Sequence, residues 1–430
     1  MDDLQNLLFK KKILIYGFGK SGYACFKFLN TKSICRVFDD KLNKIPKKYK
    51  KNVINYNQIN KSFFDFIVLS PGIDLKNCKI SNYLIKNRNK IISELDIFQL
   101  SYPNIKKITI TGTNGKSTTC KLLFDILKKD KKDVRLTGNI GFPILQEKNF
   151  NNNTIFIIEA SSYQLEYSQF FKSNYSLILN LYPDHLERHG NFKNYAKAKF
   201  KLIKTQSKGD YAFVDSKNKF INQLLKKNKI RSKVIIVNYK KYLNYLKFIK
   251  NSYFNNLSNI QNLSFILVLS KFLKIKFEKV FQAINRFKEL NYRQQIIYDK
   301  KNLRVINDSK STSLSSTKVL LESFENIYWI VGGLAKKGDK LNLEKKYFKK
   351  VKAYVYGKDY KFFSNIFSKK IPFKVSKTLN ASLKLVFEDL KKNNNKKIIL
   401  FSPSAASFDQ FKNFEQRGLY FNKIIKKYIN

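Results

Sequence analysis

The chain has 430 residues, 43% of them hydrophobic, which is enough for about two to four domains. Its 84 Lys and Arg residues against 31 Asp and Glu residues give a formal net charge of +53. Lysine dominates this excess and is spread along the whole chain, so the charge reflects either AT-rich codon usage or a selected surface for polyanions. No run of about 20 apolar residues is present, and we expect no membrane insertion.

The N-terminus and the cysteines favour a cytoplasmic protein. The first residues, "MDDLQNLL", are acidic and lack the cationic start of a secretion signal. The four cysteines show no C-x-x-C spacing, so neither a disulfide framework nor a zinc site is expected. The only two histidines, His185 and His189, lie four residues apart, which draws attention to that segment.

The first hundred residues alternate between short apolar runs and helical patterns. "KKILIYG" predicts a strand, "SGYACFKFLN" a helix, and "SICRVFDD" and "FDFIVLSPG" two further buried strands. This alternation is typical of a parallel sheet with helical crossovers. The segment Tyr102-Pro103-Asn104 interrupts the pattern and predicts a domain boundary.

The first glycine loop, Gly17 to Gly22, reads G-x-G-x-x-G between a strand and a helix. Asp39 or Asp40 follows about 17 residues later, in the manner of a dinucleotide-binding fingerprint. Glycines allow backbone amides to approach a diphosphate, and a helix N-terminus favours its charge. From these residues the loop could bind NAD or FAD, bind another nucleotide diphosphate, or be only a tight turn.

The second series begins with "ITITGTNGKSTT", a strand, a glycine loop and a helix. The loop is two residues shorter than the usual phosphate-binding pattern G-x-x-x-x-G-K-[ST]. Lys116 could reach terminal phosphates, and the Ser117 hydroxyl could bind Mg²⁺. The alternative is a glycine turn with a solvated lysine.

Two further strands of this series, "NTIFIIEASS" and "YSLILNLYPD", deliver polar residues at their carboxyl ends. Open α/β sheets bind ligands at such ends. Glu159 follows a fully apolar run, where a lone carboxylate is costly unless it meets a cation, and His185 is placed similarly. Both are candidate metal ligands, or else a salt-bridged core residue and a satisfied loop residue.

A third series of strands starts near Arg293 and contains "NLRVINDSKST", "NIYWIVGGLAKKG", "KAYVYG" and "KKIILFSPSAASFDQF". The strand-end residues Asp308, Lys310 and Ser402 could hold a small zwitterion and a nucleotide. They could equally be surface turn residues. The alternation of apolar strands with helices occurs in three successive series, which predicts three α/β domains.

Six segments together resemble one family, the Mur ligases, and within it the members that add D-glutamate. The resemblance covers nearly the whole chain in the family's motif order, and the short loop is the family's own variant of the phosphate loop. The segments are "TITGTNGKSTT", "GNIG", "EASSYQLE", "YPDHLERHG", "NDSKSTS" and "SPSAASFDQFKNFEQRG".

The resemblance implies an α/β protein of three domains. These are a UDP-binding Rossmann-like domain (1–101), a central P-loop ATPase-like domain with a mostly parallel sheet (102–291), and a C-terminal Rossmann-like domain for amino acid and ATP (292–430). It implies ATP-dependent, ADP-forming addition of D-glutamate to UDP-N-acetylmuramoyl-L-alanine through an acyl phosphate, in peptidoglycan synthesis. It also implies a cytoplasmic monomer without a specific nucleic-acid partner.

The resemblance assigns roles to residues by their position in the motifs. The catalytic set is Lys116, Glu159, His185 and Lys199. ATP would contact Gly112, Thr113, Asn114, Gly115, Lys116, Ser117, Thr118, Asn262, Arg293 and Asp308. The UDP-muramoyl substrate would contact Gly17, Ser21, Asp39, Ser70, Gly72, Asn139, Ser161 and Gln164. D-glutamate would contact Lys310, Thr312, Lys336, Ser407 and Phe414.

Two Mg²⁺ ions are expected, held by Ser117, Glu159, His185 and a carbamylated Lys199. Only the family's Y-x-x-A-K spacing selects Lys199, since lysines crowd this segment and Lys197 lies two residues away. Departures from the family pattern are Ser258 and Tyr292, where histidines are common, and Ser404-Ala405 in place of Ala-Cys.

Three alternatives remain. A ligase for another amino acid or for folate is the nearest, but folate ligases lack the first domain, and the Asn-Pro-Arg motif of diamino-acid ligases is absent. The second alternative is an NAD-dependent oxidoreductase, which would account for the first glycine loop and would not explain the second. A nucleic-acid-binding ATPase is the third alternative, but this sequence has neither a full-length phosphate loop nor a module that reads bases.

The charge leads to a testable prediction about nucleic acid. We expect random-sequence DNA to bind weakly at physiological salt, with an affinity that falls steeply as salt rises, because dispersed lysines act only through counterion release. Fluorescence anisotropy across a salt series measures this. Tight binding that resists salt would contradict it and restore the nucleic-acid interpretation.

Overall fold

The computed structural model describes residues 7–41, 45–300, 302–336, 338–392 and 397–429. They form three sheets in chain order, each wrapped by helices, as the alternating pattern predicted. Within the described residues, no helix is both long and apolar enough to cross a membrane. Residues 1–6, most of the acidic start on which the expectation about a secretion signal was based, lie outside the described residues.

The first sheet is fully parallel, with strand order β2-β1-β3-β4. Its apolar strands are buried on both faces, as expected for a parallel sheet under helices. The strands are β1 (Lys12–Tyr16), β2 (Ile34–Phe38), β3 (Phe66–Leu69) and β4 (Ile91–Ile92). The helices are α1 (Lys20–Leu29), α2 (Tyr56–Lys61), α3 (Ser81–Lys86) and α4 (Glu94–Ser101).

The second sheet is also parallel throughout, in the order β10-β9-β8-β5-β7-β6. Its strands are β5 (Lys106–Thr111), β6 (Val134–Gly138), β7 (Ile155–Glu159), β8 (Tyr175–Ile178), β9 (Tyr211–Asp215) and β10 (Lys233–Val237). Its helices are α5 (Lys116–Lys129), α6 (Ser162–Tyr167), α7 (Leu186–His189), α8 (Phe192–Lys204), α9 (Lys219–Lys227), α10 (Leu257–Phe272) and α11 (Phe277–Arg286). The central strands β5, β7 and β8 therefore place their carboxyl ends side by side.

The third sheet has the order β11-β12-β16-β13-β14-β15 and is parallel except for β11, which pairs antiparallel with β12. The sequence patterns did not indicate β11. The strands are β11 (Gln295–Lys300), β12 (Leu303–Asn307), β13 (Ile327–Gly332), β14 (Val351–Tyr356), β15 (Phe373–Val375) and β16 (Lys397–Phe401). The helices are α12 (Leu314–Ser323), α13 (Tyr360–Phe367), α14 (Leu379–Leu390) and α15 (Phe414–Ile429).

The three sheets correspond to the three predicted α/β domains, and the exact boundaries after residues 101 and 291 stay predictions. The first and second units share one apolar core, in which Phe98 of α4 packs against Phe156 of β7 with ring centroids 4.8 Å apart. This shared core fixes the first unit against the second.

Asp96 in α4 supplies the polar counterpart of this core. Its side chain is fully buried, and one carboxylate oxygen accepts hydrogen bonds from the Ser168 hydroxyl and from the amides of Gln169, Phe170 and Phe171. The other oxygen accepts from the amide and hydroxyl of Ser93, where it completes a capping box. One carboxylate thereby ties α4 to the segment that precedes β8.

We predict that Asp96→Asn lowers the free energy of unfolding by about 2–4 kcal/mol, because an amide group would turn a donor toward a set of buried donors. Chemical denaturation measures the change. The matched control is Asp65→Asn, since Asp65 is partly exposed and accepts one backbone hydrogen bond, from Lys12; it should cost about 0.5 kcal/mol or less. Equal losses in the two variants would contradict the role given to Asp96.

Candidate active site

A cleft of about 390 Å³ lies where loops from all three sheets meet. Most of its lining comes from segments that follow β5, β7, β8 and β12, at the strand ends where α/β sheets bind ligands. The predicted site residues that line it are Gly72, Thr113, Asn114, Gly115, Lys116, Ser117, Thr118, Asn139, Glu159, Ser161, His185, Lys199, Arg293, Asp308, Lys310 and Thr312.

The short glycine loop enters this cleft at the start of α5. Gly115 is the residue before the helix and has a φ of 81°, in the left-handed region. A Cβ on Gly115 would lie 2.1 Å from Asn262 Nδ2, so Asn262 packs directly over the loop without lining the cleft. Glycine is therefore required here both by conformation and by space.

Lys116 is folded back onto its own loop. Its Nζ donates to the carbonyl oxygens of Gly112 and Thr113 at 2.9 and 2.8 Å. Burial lowers the pKa of Lys116, and the nearby carboxylates of Glu159 and Asp184 act in the opposite direction. The amine is thus close to the helix N-terminus at which a phosphate would bind.

Glu159 ends β7 and is 1% exposed. Its Oε1 accepts a hydrogen bond from Asn139 Nδ2 at 2.7 Å, while Oε2 is buried and has no partner among the described residues. A buried carboxylate oxygen without a donor is costly, and a bound cation would remove that cost. Glu159 therefore fits the role of a hard oxygen ligand for Mg²⁺.

His185 follows the end of β8 and has a φ of 54°. Its Nδ1 lies 2.7 Å from the Tyr163 hydroxyl, and its Nε2 lies 3.3 Å from an oxygen of Asp184. Burial lowers the pKa of His185, which favours the neutral form that binds metals. Within the described residues no three His, Cys, Asp or Glu side chains form a metal-binding cluster, so a second ion here would need ligands from the substrates or from a modified lysine.

Lys199 lies in α8 and is 2% exposed. Its Nζ donates to the Gly112 carbonyl at 2.9 Å and to the Thr111 hydroxyl at 3.2 Å. Burial and the neighbouring Lys116 hold the pKa of Lys199 well below its usual value. Lys197 is exposed, so of these two lysines only Lys199, the one that the family's spacing selects, is buried beside the loop.

The C-terminal wall of the cleft carries Asp308 and Lys310, just after β12. Burial raises the pKa of Asp308 to about 7, although its carboxylate accepts from the Ser402 hydroxyl and the Gln294 amide. Burial, with Arg293 nearby, lowers the pKa of Lys310 to about 8. The Lys310 amine lies 4.0 Å from the centre of the Phe414 ring, so these two predicted neighbours do meet.

Lys336 does not line the cleft but reaches its edge. Its Nζ bonds an oxygen of Asp184 at 2.5 Å, which joins the third unit to the second. Ser407 is buried nearby, one residue after Ala406, which pairs with Leu334. Of the predicted D-glutamate set, Lys310 and Thr312 line the cleft, Phe414 contacts Lys310, and Lys336 is held by Asp184, a residue that the sequence analysis did not select.

The predicted UDP loop lies apart from the cleft, at the end of β1. The Ser70 hydroxyl donates to the Gly17 carbonyl, and the Ser21 hydroxyl donates to a Glu94 oxygen at 2.5 Å. Asp39 accepts from the Phe18 amide at 2.7 Å, so its carboxylate stabilises the loop itself. Of the predicted UDP residues in this unit, only Gly72 lines the cleft.

Two other predicted residues have a visible structural role. Ser161 and Gln164 form the capping box of α6, which explains their spacing without a substrate. Ser161 still lines the cleft, whereas Gln164 does not.

The departures from the family pattern also have places in the structure. Ser258 lines the cleft. Tyr292 has a φ of 62°, and its carbonyl accepts from the Lys310 amide at 3.0 Å. A Cβ on Gly418 would lie 2.3 Å from the Tyr292 ring, so this glycine makes room for the tyrosine.

Sequence reasoning missed several residues of the site, above all Asp184, Tyr163 and Asn180. Asp184 stands directly before His185, and Tyr163 stands inside the quoted segment "EASSYQLE". Adjacency to a candidate ligand was the available signal for Asp184. Asn180 gave none, because its partners are on the glycine loop 66 positions away.

Comparison with family models agrees with this geometry. The model described as Mur ligase middle domain matches residues 110–278, which hold the glycine loop, Glu159, His185 and Lys199. The model described as Mur ligase MurD-like, N-terminal domain matches residues 11–93, which hold the first sheet.

Curated relatives match the chain over nearly its whole length. The UDP-N-acetylmuramoylalanine–D-glutamate ligase of Rickettsia felis is 34% identical, covering 97% of this chain and 98% of its own. The proteins of the same name from Buchnera aphidicola and Rickettsia bellii are 34% and 31% identical, and each covers at least 96% of both chains.

Solved structures of similar fold include the MurF ligase of Thermotoga maritima in complex with ADP, with a TM-score of 0.56 at 14% identity and full coverage of both chains. The UDP-N-acetylmuramate-alanine ligase MurC of the same organism has a TM-score of 0.54 at 17% identity, covering 97% of this chain and 99% of its own. With the relatives above 30% identity and the matched family models, these findings show that the chain belongs to the Mur ligase family.

Proposed function

We propose that the chain is an ATP-dependent ligase that joins D-glutamate to the L-alanyl carboxylate of UDP-N-acetylmuramoyl-L-alanine, a step of peptidoglycan synthesis. The observation that carries the proposal is the cleft, which is lined by the phosphate loop, by Glu159, whose Oε2 has no partner among the described residues, and by the buried Lys199. The names of the relatives support the choice of substrates. A cytoplasmic, monomeric enzyme stays a prediction.

The first chemical step requires charge neutralisation, because a carboxylate must attack an anionic γ-phosphate. A carboxylate oxygen forms a bond to the γ-phosphorus, and the bond from that phosphorus to the β–γ bridging oxygen breaks, giving an acyl phosphate and ADP. Lys116 and the amides at the start of α5 would offset the developing charge. This assignment requires Lys116 to leave the carbonyls that it now contacts.

Mg²⁺ would supply further neutralisation of the phosphate oxygens when bound. Ser117 and Glu159 would hold the first ion, because Ser117 lies in the first turn of α5 and Glu159 has a free buried oxygen. His185 and the carbamate of Lys199 would hold a second ion. The presence of two separate Mg²⁺ sites is part of this proposal.

Lys199 has the properties that carbamylation needs. Carbon dioxide reacts with a neutral amine, a bond forms between nitrogen and carbon, and a proton leaves to solvent. The lowered pKa of Lys199 supplies the neutral amine. The carbamate nitrogen would keep one N–H, which can still donate to the Gly112 carbonyl, and the new carboxylate would be available to a cation.

The amino-acid substrate would bind last, at the corner formed by Lys310, Thr312, Lys336, Ser407 and Phe414. The cations of Lys310 and Lys336 suit the two carboxylates of glutamate. The amine attacks the acyl carbon and loses a proton, and phosphate leaves. Closure of the third unit over the second would keep water from the acyl phosphate.

We predict that phosphate is released from ATP when UDP-muramoyl-alanine and D-glutamate are both present, and little is released with L-glutamate. With both carboxylates held, the L-isomer turns its amine away from the acyl carbon. Phosphate release with a panel of amino acids measures this.

The control for that assay omits UDP-muramoyl-alanine and should release no phosphate, which separates ligation from simple ATP hydrolysis. Equal rates with L-alanine and D-glutamate would contradict the proposed acceptor. If neither amino acid supported turnover, the proposed reaction would be contradicted.

We predict that Lys199→Ala lowers kcat by at least about 100-fold, because a charge-stabilising group at the transferred phosphate is lost. In wild-type protein supplied with ¹³C-bicarbonate, NMR should show a carbamate carbon that is absent from Lys199→Ala. The matched control is Lys197→Ala, two residues away and exposed, which should keep both the activity and the signal. Full activity of Lys199→Ala without bicarbonate would exclude carbamylation as a requirement.

A further inference from the structure

Asn180, two residues beyond the end of β8, is bonded to the glycine loop along both edges of its amide. Its Oδ1 accepts from the amides of Asn114 and Thr113 at 2.8 and 3.1 Å, and its Nδ2 donates to the Asn114 carbonyl at 3.0 Å. Its own carbonyl also accepts from the Thr113 amide at 3.0 Å. The residue is 8% exposed, so these bonds are largely shielded from water.

These bonds divide the loop into two halves. In a full-length phosphate loop, consecutive backbone amides cradle the phosphates. Here the amides of Thr113 and Asn114 are turned toward Asn180. The first-turn amides of α5 have no partner within the helix, and no side chain of the described residues caps it. Gly115 to Thr118 line the cleft.

The first half of the loop is packed against the same strand exit. A Cβ on Gly112 would lie 3.2 Å from Leu179 Cβ and 3.3 Å from the Asn180 nitrogen. The Thr113 hydroxyl lies 2.9 Å from the Tyr195 hydroxyl and accepts from the Tyr182 amide at 3.0 Å. The loop is therefore held from the β8 side over its whole first half.

We propose that Asn180 is a positioning residue that substitutes for the two residues missing from this phosphate loop. It fixes Gly112 to Asn114, so that the amides from Gly115 onward point at the nucleotide phosphates. It also fixes the Gly112 carbonyl, which both Lys116 and Lys199 contact. The inference rests on the proposed use of ATP and concerns how the loop is held, which no motif of the sequence shows.

The test compares nucleotide binding in Asn180→Ala and Asn180→Asp with wild type. We expect Asn180→Ala to weaken binding of MgATP by about 10- to 100-fold, because misaligned first-turn amides would lose hydrogen bonds to the charged phosphates. Binding of adenosine, which lacks phosphates, should change less than twofold. Asn180→Asp keeps the two accepted bonds but loses the donor and adds a negative charge, so it should also weaken ATP more than adenosine.

The matched control is Asn174→Ala. Asn174 stands at the other end of the same strand and accepts the Lys107 amide of β5 at 2.8 Å, far from the carboxyl edge. Its loss should lower the melting temperature and leave the KM for ATP unchanged. If the Asn180 variants lower the melting temperature but bind ATP as wild type does well below melting, the positioning role is wrong.

A second test uses only wild-type protein, so it does not depend on whether a variant folds. It measures the rates of amide hydrogen exchange. Without nucleotide, the amides of Thr113 and Asn114 should exchange as slowly as those of β5, while those of Gly115 and Lys116 exchange fast until MgATP is added. Fast exchange at Thr113 and Asn114 would overturn the inference. Failure of wild-type protein to bind ATP would instead contradict the proposed function, so the two failures are distinguishable.

Discussion

Charged side chains buried at the carboxyl ends of β5, β7 and β8 are the constraint on which the site depends. Glu159 and Lys199 are withdrawn from water, Lys116 is half-buried at the cleft, and burial disfavours the charged form of both lysines. The two amines bond to the Gly112 carbonyl, and Asn139 satisfies one oxygen of Glu159. The other oxygen has no partner among the described residues, so a bound cation would offset the free-energy cost of burying it.

This arrangement needs a rigid loop, because the carbonyls that hold the lysines belong to the glycine loop itself. The loop in turn depends on its neighbouring strand, through Asn180 and the packing of Leu179 against Gly112. Strand order therefore matters chemically: β8 lies next to β5, which brings its exit residues to the loop. A sheet with another order would leave the short loop unsupported.

The cleft also depends on contacts between the three units. The Asp96 carboxylate and the Phe98 cluster hold the first unit to the second, and the pair of Asp184 and Lys336 joins the second to the third. The first of these junctions is buried. The second includes the polar contacts of Lys336 with Asp184 and of Ser315 with the Pro183 carbonyl.

Local patterns were sufficient for most of the fold. Apolar runs that end in glycine or polar turns predicted ten of the sixteen strands among the described residues, because parallel strands are buried on both faces. They did not indicate β4, β6, β9, β10, β11 and β15. Among these, β11 ("QIIYDK") is only partly buried on an edge and carries no clear alternation. Glu159 was found because it ends a fully apolar strand, and Lys116 because it follows a glycine loop between a strand and a helix. The choice of Lys199 over Lys197 required the family's spacing.

The sequence by itself determined the three α/β units, the phosphate loop and the strand-end residues, since these depend on contacts within a few residues. Only the tertiary structure decided which polar groups meet across the chain. Asn180 reaches Asn114 over 66 positions, and Lys336 reaches Asp184 over 152. Such pairings follow from strand order and the packing of units, because hydrogen bonds act over about 3 Å and the sequence does not record which distant atoms come that close.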